Sequence, residues 1–549
     1  MKNKLRILIA GILLSTVTLV GFNYDDRYFE IAKNLDVFAT MFKELNALYV
    51  DEISPTKTIH TGINAMLKEL DPYTNFYAED AIEDYRTTST GQYNGVGITV
   101  NERNGKHIVQ MVYESSPADK AGIKIGDVIT EINKIPLQGR SDEELARLIK
   151  GQKGTEVELG VLSYGSTKPI KLKVTREDVK TSNVPHYGMI NDEVGYIQLT
   201  EFRASAAADI KNAFVDLKGQ GMKKLVLDLR GNPGGLLNMA VEICNFFIPK
   251  KELVVETKGK VETWNKRYET TNAPLDLDMP VVVLINSKSA SASEIVSGTL
   301  QDYDRAVVLG QKSFGKGLVQ VTRPLSYNTQ MKITTAKYYI PSGRCIQAID
   351  YSHRNPDGSV GKIPESMISE FLTKNGRKVY DGGGVDPDIK VDPKAASELA
   401  TQLVRDGIIF DFATKYYHEH ASDVPSENYE ISEAIYNEFS TYVKESGFVF
   451  DSKAKKALSE LEELSKTDKT YANLDTHLGT LKNWVSSKLD KDLITDKAII
   501  KDELALEILR RYHYDNALKF VSFDKDAEVQ SALSLFKDMN KYKSILAGK

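Results

Sequence analysis

The residues with the most chemistry to offer lie between Pro280 and Gln320. An apolar β-branched run, Val281 to Ile285, stops at N-S-K-S-A-S-A-S-E, and an amphipathic helix is expected to begin near Glu294. A serine at such a strand-to-helix junction exposes its hydroxyl beside a free backbone N–H, and the helix N-terminus adds partial positive charge. Further on, Lys316 sits between two glycines in F-G-K-G, ahead of strand-like Leu318-Val319-Gln320. No histidine lies in this stretch, so a serine nucleophile here needs another base. A lysine serves if burial holds it neutral. The pattern points to a Ser-Lys hydrolase. The plainer alternative is that these small residues only cap a helix and let it pack closely.

The elements that would position this pair read as α/β from about Glu193. Gly195 to Leu199 forms a strand, Ala204 to Leu217 a helix, and Leu225 to Leu229 a buried strand running into R-G-N-P-G-G. A helix follows from Leu236 to Phe247. The glycine spacing fits neither a phosphate-binding loop nor a dinucleotide fingerprint. It suits backbone N–H groups facing a reacting oxyanion. An irregular, Gly-rich stretch from Pro341 to Gly384 reads as an inserted hairpin or loop.

Ahead of this, Gly91 to Arg176 carries short strands and turn signals. G-V-G-I-T-V leads into a strand, Pro117-Ala118 opens a short helix that Gly122 ends, and Glu143 to Ile149 reads as another helix. Beyond about Pro393 the chain is helical and charged, with no catalytic motif, and its default role is packing. His418 and His420, two apart, would point to different faces, so no metal site is expected there.

At 549 residues the chain is too long for one core and calls for several domains. A net charge of −5, without a long basic run beyond the extreme N-terminus, argues against a nucleic-acid surface. Lys2, Lys4 and Arg6 precede an uncharged stretch from Ile7 to Phe22, the pattern of an export signal or a retained N-terminal anchor. Two distant cysteines, Cys244 and Cys345, make no disulfide framework, and both read as packing residues.

Residues 91–176, with P-A-D-K-A-G-I-K-I-G-D, resemble a PDZ domain, which binds an extended peptide as an added strand and holds its terminal carboxylate in a backbone nest. Gly95, Val96, Gly97 and Ile98 match that carboxylate loop. Together with L-D-L-R-G-N-P-G-G, S-A-S-E and F-G-K-G-L-V-Q in this order, the chain resembles the carboxyl-terminal processing (tail-specific) proteases over roughly residues 35 to 390. The resemblance implies Ser291 as nucleophile, Lys316 as general base and Gln320 as the residue that positions the lysine. It also implies an oxyanion hole from Ala292 and Gly234 or Gly235, and a structural role for Asp302. Some relatives carry an activating arginine near the position of Ser163, which this chain lacks.

The expected fold is therefore multi-domain α/β (α+β). A signal or anchor (1–22) and a helical region (23–85) precede a PDZ domain (86–178). A crotonase/ClpP-like protease core (179–392) and a C-terminal helical domain (393–549) follow. The expected function is an exported, periplasmic or cell-envelope serine endopeptidase acting on proteins with free C-terminal tails, without cofactor or metal. The N-terminal helices suggest a homodimer, and membrane contact would come only from an uncleaved N-terminus. The alternatives are a non-catalytic peptide-binding scaffold and, by fold likeness alone, acyl-CoA chemistry.

Overall fold

Strands of the core read as unbroken apolar runs because both of their faces are covered. In the computed structural model, which describes residues 27–79, 92–393, 397–426, 428–467, 478–482, 489–520 and 523–548, two compact units separate. The expected signal segment lies outside the described residues.

The first unit comprises the described residues up to Phe76 together with Thr322–Ile333. It holds helix α1 (27–48) and helix α2 (Pro55–Lys68), the latter with Pro55 in its first turn and capped by the Ser54 hydroxyl. Asp71, after α2, accepts from the Tyr73 and Thr74 amides and so closes the turn that Pro72 enforces.

Within the second unit, β1 (Gln92–Gly95), β2 (Ile98–Arg103), β3 (Lys106–Val112), β4 (Val128–Ile132), β5 (Glu156–Leu162) and β6 (Ile170–Thr175) build the first domain. Strands β2 to β6 form one antiparallel sheet in chain order, while β1 pairs with Glu177–Lys180. Helix α3 (Asp142–Ile149) starts with a Ser141–Glu144 capping box and buries Leu145 and Ile149 against that sheet.

The catalytic-core sheet has the order β7 (His186–Met189), β8 (Val194–Gln198), β9 (Lys224–Asp228), β10 (Val281–Ile285), β11 (Val307–Gly310) and β12 (Ile389–Lys390). Strand β7 is antiparallel to β8 and the rest run parallel. Helices α4 (Ala206–Gly219), α5 (Leu237–Asn245) and α6 (Ala292–Asp302) cover one face, where Leu225, Leu227, Val281, Val283 and Ile285 point. The residues between them, Val226, Val282 and Leu284, point to the other face.

That second face is covered by C-terminal helices α9 (Ala527–Lys537) and α10 (Met539–Leu546), through Val529, Ala532, Leu535, Phe536 and Tyr542. Earlier in the same region, α7 (Ile408–Glu419) and α8 (Lys497–His513) share a core of their own. The stretch 341–384 contains two short hairpins, Ile349–Arg354 with Val360–Lys362 and Glu370–Leu372 with Lys378–Tyr380.

One expectation needs correction. Helix α6 is not amphipathic: it begins at Ala292, two residues before Glu294, and every residue from Ala292 to Asp302 is buried. Its polar groups find partners instead of water. Ser297 donates to the Ser293 carbonyl, Thr299 to Val254, and Gln301 to Asp388, while Asp302 pairs with buried Arg344 at 2.9 Å. Structural support is thus the arrangement around Asp302.

Candidate active site

Of the four serines between β10 and the first turn of α6, Ser287 is exposed, and the structure treats the other three, Ser289, Ser291 and Ser293, differently. Ser289 donates its hydroxyl to the Leu229 carbonyl at 2.8 Å, and Ser293 donates to the Asn232 carbonyl at 3.0 Å. Both are fully buried and bind the turn after β9 to the turn after β10. Ser291 is only half-buried and sits at the helix N-cap with φ +55°, a left-handed conformation that costs a serine energy. The Glu294 N–H bonds the Ser291 carbonyl at 2.9 Å, and the Glu294 carboxylate reaches back to the Ser291 N–H in the manner of a capping box.

Lys316 lies on the loop between β11 and the strand Leu318–Pro324, half-buried. Two side chains hold its backbone beside that of Ser291. The Glu294 carboxylate accepts from the Ser291 N–H at 2.7 Å, the Lys316 N–H at 2.9 Å, the Gly315 N–H at 2.7 Å and the Ser313 hydroxyl at 2.5 Å. The Tyr338 phenol lies 3.0 Å from the Ser291 carbonyl and 2.7 Å from that of Lys316, and donates between them. Burial pushes the Glu294 carboxyl up, opposed by Ser313 and by the amides of Lys316, Gly315 and Ser291. Burial likewise pushes the Tyr338 phenol well up, which keeps it a donor.

Opposite the serine, the glycine turn packs without any gap. A Cβ on Gly234 would meet the Ala290 carbonyl oxygen at 2.7 Å, Ser291 Cβ at 2.8 Å and the Ala292 nitrogen at 2.9 Å, and φ there is +100°. Only glycine fits. The Gly234 N–H donates to Asn232 Oδ1 at 2.8 Å, whereas no hydrogen bond involves the N–H of Gly235 or Ala292 among the described residues. Of the two glycines, Gly235 therefore has the amide left for an oxyanion, alongside Ala292. Gln320 donates to Thr334 Oγ1 at 3.1 Å.

In the first domain, Gly95 ends β1, Val96 and Gly97 turn, and Ile98 starts β2. Gly97 takes φ +86°, and a Cβ there would strike Ser116 Cβ at 2.3 Å. The loop's carbonyls are spoken for: Val96 accepts from Ala118 N–H at 2.8 Å and Gly97 from Tyr113 N–H at 3.0 Å. Burial raises the pKa of the Tyr93 phenol, whose ring a Cβ on Gly95 would meet at 2.6 Å. Asp127 accepts from the Lys124 amide at 2.9 Å.

Sequence reasoning gave no role to Glu294, Ser313, Tyr338 or Asn232. A glutamate two residues inside a helix of small and apolar residues was the available signal, since a carboxylate placed there must be satisfied by buried donors. Among the described residues no cluster of His, Cys, Asp or Glu could hold a metal ion. His418 stacks on Tyr164 and His420 on Tyr416.

Residues 193–360 match the profile of peptidase family S41, residues 108–163 a PDZ domain, and residues 399–536 the "probable PDZ-protease, C-terminal helical domain". The chain is 34% identical over 359 residues to a carboxy-terminal-processing protease of Bartonella bacilliformis, covering 64% of this chain and 81% of that protein. It is also 34% identical over 421 residues to a "probable CtpA-like serine protease" of Staphylococcus aureus, covering 74% and 82%. Among solved structures, the photosystem II D1 C-terminal processing protease is 25% identical over 65% of this chain and 92% of its own, with a TM-score of 0.36.

Proposed function

Because this chain belongs to the carboxy-terminal-processing serine proteases of peptidase family S41, we propose that it cuts proteins selected by their C-terminal tails, with Ser291 as nucleophile and Lys316 as base. The observation that carries this reading is the asymmetry of the three serines. Two hydroxyls are tied to backbone carbonyls, and the third stands at a strained junction whose backbone is locked to that of Lys316.

Neutral Lys316 takes the Ser291 proton as the hydroxyl attacks the peptide carbonyl, and the developing oxyanion is met by the amides of Gly235 and Ala292. The resulting lysine ammonium protonates the leaving amine, and water then resolves the acyl-enzyme. Gln320 steadies the strand that follows the lysine.

The tail is held in the Gly95–Ile98 loop, whose backbone N–H groups would receive its terminal carboxylate. A partly unfolded protein ending in an apolar tail with a free carboxylate is expected to be cut with a KM at least about 10-fold below that of the same protein with an amidated end. Equal KM values for the two would sink tail selection and leave an unselective protease. Tail binding by wild type without cleavage would favour the scaffold instead.

Helix α1 exposes Phe29, Leu35, Phe38 and Leu48, which supports a homodimer through the N-terminal helices of an exported chain. Sedimentation of the purified full chain at the mass of two chains is expected. A single-chain mass at micromolar concentration would refute the dimer.

A further inference from the structure

The two loops of the site, residues 230–235 and 311–317, are rooted in the same place. Arg230, which follows β9 and precedes the glycine turn, is enclosed by three carboxylates. It donates from Nε and Nη2 to Asp228 at 3.0 and 2.6 Å. It also donates from Nη1 and Nη2 to Asp526 at 3.0 and 2.8 Å, and from Nη1 to Glu528 at 3.2 Å. Gln311, which follows β11 and precedes the lysine loop, donates from Nε2 to the other oxygen of Glu528 at 2.8 Å. Asp526 and Glu528 belong to the start of α9, in the C-terminal helical domain, about 300 residues from Arg230 in sequence.

We propose that Asp526 and Glu528 are positioning residues for peptide-bond cleavage, holding the oxyanion turn through Arg230 and the lysine loop through Gln311. Three residues separate Arg230 from Gly234, and Asn232 ties the intervening turn to the Ala290 amide and the Ser293 hydroxyl at 3.0 Å each. A shift at Arg230 therefore reaches Ser291 through a short, fully bonded path. Interfaces of this kind switch between arrangements instead of deforming smoothly.

The same domain grips the PDZ domain at its other end. Phe410 of α7 is buried in the PDZ core, Arg103 pairs with Asp411, and a Cβ on Gly126 would strike Thr414 Cγ2 at 2.4 Å. Tyr514, just after α8, donates to Asp119 at 2.5 Å. One helical domain thus touches both the tail-binding module and the roots of both catalytic loops.

The proposal rests on the Ser-Lys reading, and the test separates the two. Asp526 caps α9 by accepting from the Val529 N–H at 3.0 Å, and asparagine caps as well as aspartate. Asp526→Asn therefore removes the charge facing Arg230 and keeps the helix. Removing an oxyanion donor costs about 10²–10³ in rate, so displacing one is expected to lower kcat by about 10- to 100-fold. KM for a tail-bearing substrate, the affinity for the isolated tail peptide and the Tm are expected to stay near wild type.

Glu528→Gln, which keeps an acceptor oxygen, is expected to lose less than Glu528→Ala. A contact that only stabilises the fold would lower Tm and leave kcat per folded molecule unchanged. Asp526→Asn and Glu528→Ala both within two-fold of the wild-type kcat would overturn the inference. Should Glu528→Ala not fold, Asp526→Asn alone decides. Wild-type protein that neither cleaves nor is phosphonylated by a fluorophosphonate, with loss of fluoride, would instead overturn the protease reading, and the inference with it.

Discussion

A chain carrying Ser291→Ala is expected to cleave about 10⁶-fold more slowly than wild type, with its affinity for tail peptides unchanged. The substitution removes one oxygen and keeps the Cβ, so the strained backbone at φ +55° and its bond to Glu294 persist. Neither buried neighbour can take over. Ser289 and Ser293 point their hydroxyls at the Leu229 and Asn232 carbonyls, on the far side of a turn they hold shut. The Ser293→Ala variant is expected to lose about 0.5–1.5 kcal/mol of stability, the worth of one buried hydrogen bond, and Ser289→Ala more, because that hydroxyl also accepts from the Asn286 N–H at 2.9 Å; both are expected to keep most of kcat when folded. Steady-state cleavage of a tail-bearing protein, with the three variants side by side, checks the assignment. A Ser291→Ala chain retaining more than a hundredth of the wild-type rate would exclude it as nucleophile.

How far the sequence alone reached depends on whether the partner of each group is local. The run Val281–Ile285 announced a doubly buried strand, and the small residues after it announced a sharp turn into a helix. Both follow from side-chain size and branching at adjacent positions. Which glycine presents a free amide depended on Asn232, whose side chain takes the Gly234 N–H. That choice lies in a side-chain rotamer, to which spacing is blind.

The helix beginning at Ala292 shows the opposite failure. Glu294, Ser297, Thr299, Gln301 and Asp302 look like a solvent-facing stripe. Yet Thr299 bonds a carbonyl 45 residues away, and Gln301 a carboxylate 87 residues away. Tertiary partners overrode the polar pattern, as they do wherever a helix lies between two layers. The C-terminal helices pack as their pattern suggests, α9 and α10 against the sheet, but Asp526 and Glu528 meet Arg230 nearly 300 positions away instead of solvent.

Replacing Lys316 tests the second half of the dyad and distinguishes a base from a support. Lys316→Met keeps the length of the side chain and the backbone N–H that bonds Glu294 at 2.9 Å, and removes the amine. Amide cleavage is expected to fall by about 10⁴-fold or more, because the amine acts twice, first taking the serine proton and then protonating the leaving nitrogen. An activated ester, whose leaving group departs as a stable anion, needs only the first service. Its hydrolysis is therefore expected to suffer less than that of the amide.

The sign of the pH dependence follows from the same chemistry. Only an unprotonated amine accepts a proton, so with Lys316 as the base wild-type kcat/KM is expected to rise with pH. Lys316→Arg, which stays protonated across the accessible range, is expected to show no such limb and no measurable amide turnover. Equal losses on amide and ester in Lys316→Met, together with an unchanged rising limb in whatever activity remains, would assign the base to another residue. Lys316 would then be a strut for the loop that Glu294 and Tyr338 hold.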